Sequence, residues 1–350
     1  MKVGTDFSGI GAPEMALKYL GIDFDSVFAC EIDKFARQSF EQLHKPKTFY
    51  NDITKRNHKE IEQLDLYVAG FPCQAFSMAG KRKGFDEARG TLFFNVAEFI
   101  QINQPKVFIL ENVKGLLSHD SGKTFQTIID ILSNGGGTKN GQISLDVFED
   151  GLGYHIYWKV LNTKNFGIPQ NRERVFIVGF KDFRSFSFPK NISLNITLKD
   201  VLENQVNDKY YLSDKMIKGI LKSNFRERKP IEINNISKCL KVGGDIPCFE
   251  VISHSLHPRC GDPKKGGTGH LSKQDGTSYC LDTGNAQAIE LDKKMRRLTP
   301  LECWRLQGFK DQDFFKVKDV SDTQLYKQAG NSITVNVLMH LFKKIYGYNK

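Results

Sequence analysis

Over its first 180 residues the chain alternates short apolar runs with longer amphipathic ones, and that rhythm admits few architectures. The runs at 2–7, 27–30, 66–69, 107–110, 156–161 and 175–180 read as strands. The stretches at 14–20, 34–43 and 92–102 read as helices, the last with Phe93, Val96, Ala97 and Ile100 on one face. Strand alternating with helix predicts an α/β domain with a mostly parallel sheet covered on both faces. Ligands of such sheets bind beyond the C-terminal ends of the strands, so the chemistry is expected there.

Near residue 181 the rhythm breaks. Gly, Asn, Lys and Ser dominate, and 259–283 is dense in glycine and turn formers, which predicts a second, smaller, irregular β-rich domain. Helical texture returns near 296, and 333–345 reads as a final helix. A length of 350 residues suits about two domains. The charge follows the same division. Residues 1–180 carry 21 basic and 21 acidic residues, whereas 181–350 carry 29 and 19, the whole of the net +10. A one-sided basic excess suits a polyanion such as nucleic acid, and on charge alone a solubilising surface explains it equally well.

No apolar run approaches the roughly 20 residues that span a bilayer, and Asp6 and Glu14 interrupt any signal-like core at the N-terminus. The seven cysteines are odd in number and widely spaced, which suits reduced thiols in a cytoplasm. His254, His257 and Cys260 sit three apart but lack a fourth ligand, so no metal is expected.

Strand ends carry the candidate groups. The first strand runs into Phe7-Ser8-Gly9-Ile10-Gly11, a glycine turn that lets a cofactor approach backbone N–H groups; Glu14 stands where a dinucleotide fold would want a third glycine. Glu31, 20 residues beyond Gly11, ends the second strand where an acid can accept from ribose hydroxyls, and Asp52 follows the next element. Any one of these acids alone reads as a solvated loop residue; three strand ends each bearing a suitable group do not. Cys73, after the proline-stiffened turn Gly70-Phe71-Pro72, is a candidate nucleophile, although a lone cysteine is more often inert. A basic, glycine-hinged loop with Lys81, Arg82, Lys83 and Arg89 follows it, and Glu111-Asn112 ends the next apolar strand on the same sheet edge. A nucleophile beside a carboxyl group suits covalent attack on a ring that needs a proton nearby.

In order and spacing, FSGIG at 7–11, CEID at 30–33, NDIT at 51–54, GFPCQAFS at 70–77, RGTLFF at 89–94, ENV at 111–113, PQNRER at 169–174, RRLTPLECWRLQGF at 296–309 and QAGNSI at 328–333 form one set. This set resembles the prokaryotic-type cytosine-C5 DNA methyltransferases, the enzymes of restriction-modification systems and phages. The resemblance covers essentially 1–180 and 296–350. It implies a Rossmann-like α/β domain that binds S-adenosylmethionine, formed by 1–183 and 325–350, a target recognition domain at 184–295, and a hinge at 296–324. By motif matching, Phe7, Gly9 and Gly11 line the methionine side, Glu31 takes the ribose hydroxyls, and Asp52 with Ile53 meets the adenine. Ile32 replaces an aromatic that stacks there, Pro72 joins the set, and Asn331 closes it.

The resemblance further implies that Cys73 attacks C6 of a flipped cytosine, Glu111 bonds N3 and the exocyclic amine, and Arg172 and Arg174 position Glu111 and the O2 edge. The implied partner is double-stranded DNA with a short recognition sequence. A monomer in the cytoplasm of a bacterium or phage-infected cell is expected, with a cognate restriction endonuclease as a natural companion. The first motif begins within seven residues of Met1, which favours a stand-alone modification enzyme. Lys264, Lys265, His270 and Lys273 are candidates to enter the major groove, and Trp304 and Leu306 read as core.

The chain departs from the family where Thr5 stands in place of an acid two positions before Phe7, with Asp6 one position before it. Three competitors remain at this point. A tRNA cytosine methyltransferase would share Cys73 and Glu111, but the Cys-Phe-Thr tripeptide of that type is missing. A nicotinamide oxidoreductase explains the glycine turn but not Cys73, and a silent DNA-binding module has no use for the catalytic set.

Overall fold

In a computed structural model, residues 1–72, 92–133, 151–215, 217, 252–256, 271–283, 287–291 and 294–347 are described. The first domain opens with β1 (Lys2–Asp6), α1 (Ala12–Tyr19), β2 (Asp25–Cys30), α2 (Lys34–Leu43), β3 (Thr48–Tyr50) and β4 (Leu66–Ala69). It continues with α3 (Leu92–Asn103), β5 (Val107–Val113), α4 (Lys123–Leu132), β6 (His155–Asn162) and β7 (Glu173–Phe180). Local chemistry accounts for the helix bounds. Asp33 caps α2 by accepting from the N–H of Phe35 (2.9 Å) and Ala36 (3.2 Å), and the buried Ala36, Ser39, Phe40 and Leu43 repeat at one-face spacing.

The strands form one seven-stranded sheet in the order β3-β2-β1-β4-β5-β7-β6. Pairs from β3 through β5 are parallel, and β7 runs antiparallel to both β5 and β6. Adjacent residues serve opposite cores: Val68, Ile109 and Val178 join one apolar cluster, Tyr67, Phe108 and Ile177 the other. That alternation is the period-2 signature of a sheet covered on both faces.

After a single turn of helix, α5 (Leu198–Val201), come β8 (Ile252–Ser255), β9 (Leu271–Lys273), β10 (Gln287–Leu291) and β11 (Lys294–Arg297). These four form an antiparallel sheet in the order β11-β10-β8-β9. Its own apolar cluster comprises Leu212, Leu256, Ala288 and Met295. Phe186 packs on Tyr157 and Phe180 of the first domain with Phe188 against it, while Leu198 and Val201 share an apolar cluster with the first domain and with Leu281 and Ile289 of the later segment.

The chain then returns through α6 (Pro300–Arg305), α7 (Asp311–Phe314), α8 (Asp322–Asn331) and α9 (Val335–Tyr346), which lies against α1. A Thr299–Glu302 capping box with Pro300 in the first turn starts α6. Trp304 and Leu306 are fully buried, as expected; the indole packs on Phe309 and Phe314 and donates to the Leu325 carbonyl (3.3 Å). No helix among the described residues is long and apolar enough to cross a membrane.

Candidate active site

A pocket opens at the C-terminal ends of β1 and β4, lined by Phe7, Ser8, Gly9, Gly70, Asn331 and Ile333 among others. The turn after β1 holds Phe7, Gly9 and Gly11 at φ of 53°, 55° and 77°. A Cβ on Gly11 would collide with the buried His44 ring, whereas one on Gly9 would meet no protein atom within 4 Å. Packing requires a glycine at position 11, and the glycine at position 9 keeps a pocket wall open.

Glu31 braces this turn. Its two carboxylate oxygens accept from the N–H of Gly9 and Asp33, both at 2.9 Å. A carboxylate has about four acceptor positions, so two remain for a ligand's hydroxyls. Ile32 beside it is 74% exposed, an aliphatic surface free to meet a ring. Asp52 accepts from the Thr54 N–H (3.0 Å) and hydroxyl (2.7 Å), and these bonds hold its carboxyl below the ordinary range, fully ionised. Ile53 is buried in the α3-side core. Asn331 is exposed at the end of α8, brought to the pocket by the returning chain.

Thr5 and Asp6 point to opposite sides of the sheet. The Thr5 hydroxyl donates to Glu14 of α1 (2.8 Å). Glu14 is fully buried with Oε2 unpartnered, and desolvation pushes its pKa up to about 7. The unfolded chain releases this proton near pH 4.5 while the native protein keeps it to about 7, so stability falls as pH rises through that window. Glu14→Gln cannot ionise. Its unfolding free energy should gain on the wild type by roughly 3 kcal/mol between those limits, read from denaturant melts at successive pH values. Parallel pH profiles would remove Glu14 as the titrating group.

At the other end of the site, β5 runs on through Glu111 to Val113 because β7 pairs with it there, Glu111 opposite Phe176 and Val113 opposite Arg174. Arg174 lies two residues along from Phe176 and so shares Glu111's face. Its Nε stands 3.3 Å from Glu111 Oε1, an ion pair without hydrogen-bond alignment, which leaves that oxygen free to bond a ligand. Burial raises the Glu111 pKa, opposed by the charges of Arg174 and Arg172. Arg172 is buried and donates to the carbonyls of Leu281 (3.3 Å), Gly330 (3.1 Å) and Ser332 (2.9 Å). It ties β7 to the second domain and to α8, and only its Nε is unpartnered. The Asn112 amide donates to the Phe71 carbonyl (2.9 Å), and Gly70 lies beside Glu111. The segment leading to Cys73 is therefore pinned next to Glu111.

Cys73, the basic loop at 81–90, His257, Cys260, Lys264, Lys265 and His270 lie outside the described residues. Pro72, the last residue before Cys73, is exposed. Lys273 does not present a free ammonium to a groove. It bonds the Thr277 hydroxyl (2.5 Å), pairs with Asp275 (3.5 Å) and lies over the Tyr279 ring. Three groups escaped the reading of the sequence. Cys280 Sγ lies 3.4 Å from Arg172 and 3.6 Å from Arg174, delivered by the second domain. Asp6 and Arg56 form a buried ion pair. No local pattern announces either contact, because each joins segments remote in sequence.

Comparison with known proteins agrees with this geometry. The model of the family described as C-5 cytosine-specific DNA methylase matches residues 1–347. The orphan methyltransferase M.SPRI of Bacillus phage SPR is 33% identical over 445 aligned positions, covering 99% of this chain and 97% of its own length. The type II methyltransferase M.HpaII of Haemophilus parainfluenzae is 38% identical over 349 positions, covering 97% and 87%. Among solved structures, the S. pombe Dnmt2 methyltransferase matches with a TM-score of 0.68 at 18% identity over the whole of both chains, a likeness of fold. With the family matched from end to end and a pocket at the glycine turn near Glu111, the chain belongs to the C-5 cytosine-specific DNA methylase family: it is a DNA cytosine-5-methyltransferase whose methyl donor is S-adenosylmethionine.

Proposed function

We propose that the chain methylates cytosine within one short duplex sequence, with Cys73 as nucleophile and Glu111 as the group acting on N3. The observation that carries this reading is the pairing of buried Glu111 with half-buried Arg174 beside the Gly70–Phe71 segment that leads into Cys73. Cytosine C5 is a poor nucleophile. Addition of the Cys73 sulfur to C6 makes the ring an enamine, and Glu111, hydrogen-bonded to N3 and the exocyclic amine, stabilises the charge that develops at N3. Once C5 carries the methyl group, its proton leaves, the C6–S bond breaks, and the thiol is returned. Both carbons lie within the duplex stack, so the base must flip out at a cost of a few kcal/mol.

The pocket fits S-adenosylmethionine, which when bound supplies an electrophilic methyl group. Phe7 and Gly9 form its methionine-side wall, with the open side of Gly9 as room for the ligand, and Gly11, packed against His44, supports the turn from behind. Glu31 has acceptor positions for the ribose hydroxyls, and Ile32, the Asp52–Ile53 turn and Pro72 are assigned to the adenine side and the closing of the site by motif matching; Asn331 lines the pocket itself. Arg174 orients Glu111 directly; Arg172 acts from behind by fixing β7 against Leu281 and Ser332.

Recognition is assigned to 184–295, with 296–324 as hinge and 1–183 plus 325–350 as the catalytic unit. Because Phe186 packs on Tyr157 and Phe180 of the first domain with Phe188 against it, base reading falls to the part of the recognition segment beyond them. The protein acts as a cytoplasmic monomer in a bacterium or phage-infected cell, with a cognate endonuclease as companion.

Bisulfite sequencing of DNA from a cytosine-methylation-free host expressing the chain should show 5-methylcytosine in a single short context. Unmethylated DNA, or modification confined to RNA, would refute the assignment.

A further inference from the structure

Asp6, the last residue of β1, has no solvent exposure in its side chain, and neither has Arg56. The carboxylate accepts from Arg56 Nη1 (2.6 Å), Arg56 Nη2 (2.8 Å) and the Tyr67 hydroxyl of β4 (2.6 Å). The guanidinium lies 4.3 Å from the Phe28 ring centre and 4.6 Å from that of Phe99, and its Nε donates to His58 Nδ1 (3.3 Å). The pair is thus held by β1, β2, β4 and α3 together. It also joins two parts of the site. Asp6 lines the pocket and directly precedes the Phe7–Gly11 turn. Arg56 ends the turn that begins at Asp52. That turn follows β3, which pairs over only three residues and only with β2, at the sheet's edge. The main chain alone gives it little anchorage to β1.

We propose that the Asp6–Arg56 pair is a positioning element that sets the gap between the glycine turn and the Asp52 turn, and with it the affinity for S-adenosylmethionine. The inference rests on the reading of Asp52 and Ile53 as the adenine side. A bidentate guanidinium–carboxylate pair fixes distance and plane together, which an ammonium cannot do. Arg56 does not line the pocket, so an effect of changing it on cofactor binding travels through Asp6 or through the Asp52 turn.

The test is Arg56→Lys, which keeps the charge and loses the fork, with Asp6→Leu/Arg56→Met as a second variant that leaves no unpaired buried charge. Binding of S-adenosylmethionine is measured by calorimetry, turnover by steady-state kinetics, and folding by thermal melting. A folded variant should show Kd and KM for the cofactor raised about tenfold, with the loss in KM rather than in kcat. Wild-type Kd in either folded variant overturns the proposal, as does a fall in kcat at unchanged Kd. Unfolding of both variants would make the pair a determinant of folding alone and overturn it equally. Asp52→Ala separates the two readings: normal cofactor binding there removes the adenine-side assignment itself. Weakened binding there, with Arg56→Lys normal, removes only the positioning role.

Discussion

DNA carrying 5-fluorocytosine at the target position should form a denaturant-resistant adduct with this protein, dependent on S-adenosylmethionine, and Cys73→Ser should form essentially none. Addition of the sulfur to C6 and methylation of C5 proceed as usual, but fluorine cannot leave as a cation, so the elimination that breaks the C6–S bond is blocked. A serine hydroxyl is scarcely ionised at neutral pH, and the variant should lose at least about a thousandfold in methyl transfer. The other described cysteines sharpen the expectation. Burial keeps the thiols of Cys30 and Cys303 protonated, well above their ordinary range. Cys280 is the informative competitor because it touches both Arg172 and Arg174. Peptide mapping that placed the bond on Cys280, or an adduct of normal yield from Cys73→Ser, would overturn the mechanism while leaving the family assignment intact.

Glu111→Gln should slow methyl transfer by about a hundredfold or more while changing cofactor affinity by less than about threefold. In the proposed role the carboxyl acts on charge that develops at N3 in the transition state, and an amide supplies neither the acid nor the full counter-charge. The geometry gives the expectation its selectivity. Glu111 faces Arg174 and the start of the Cys73 segment, whereas the cofactor turn is braced by a different carboxylate, Glu31. Single-turnover rates set beside calorimetric affinities would decide it, and a matching loss of cofactor binding would move Glu111 into the cofactor site.

Much of this arrangement was legible in the order of residues. The helix expected at 34–43 is α2 to the residue, because its start is a side-chain cap and its body a one-face apolar repeat, both local properties. The strand expected at 66–69 is β4 for the same reason, four apolar residues bounded by breakers. The glycine turn, Glu31 and the return of the C-terminal helix to the first domain were likewise readable from motif and texture.

Other features belonged to the tertiary structure. The apolar run at 107–110 ends before Glu111, yet β5 continues to Val113, because the antiparallel β7 supplies its hydrogen bonds; strand direction leaves no mark in a buried apolar run. The composition of 184–202 resembles the second domain, but Phe186 packs on Tyr157 and Phe180 of the first. Lys273 looked like a groove-reading charge until Asp275 and Thr277 folded against it. Motif and periodicity determined which strand ends are proposed to carry the chemistry, since side-chain period and turn chemistry act over a few neighbouring residues. Only folding decided that Asp6 would meet Arg56 50 residues away, that Thr5 would bond Glu14 of α1, and that Arg172 would turn to three carbonyls. A buried polar group must find its partner wherever the chain brings one, and that partner is set by the packing of distant segments rather than by its neighbours in sequence.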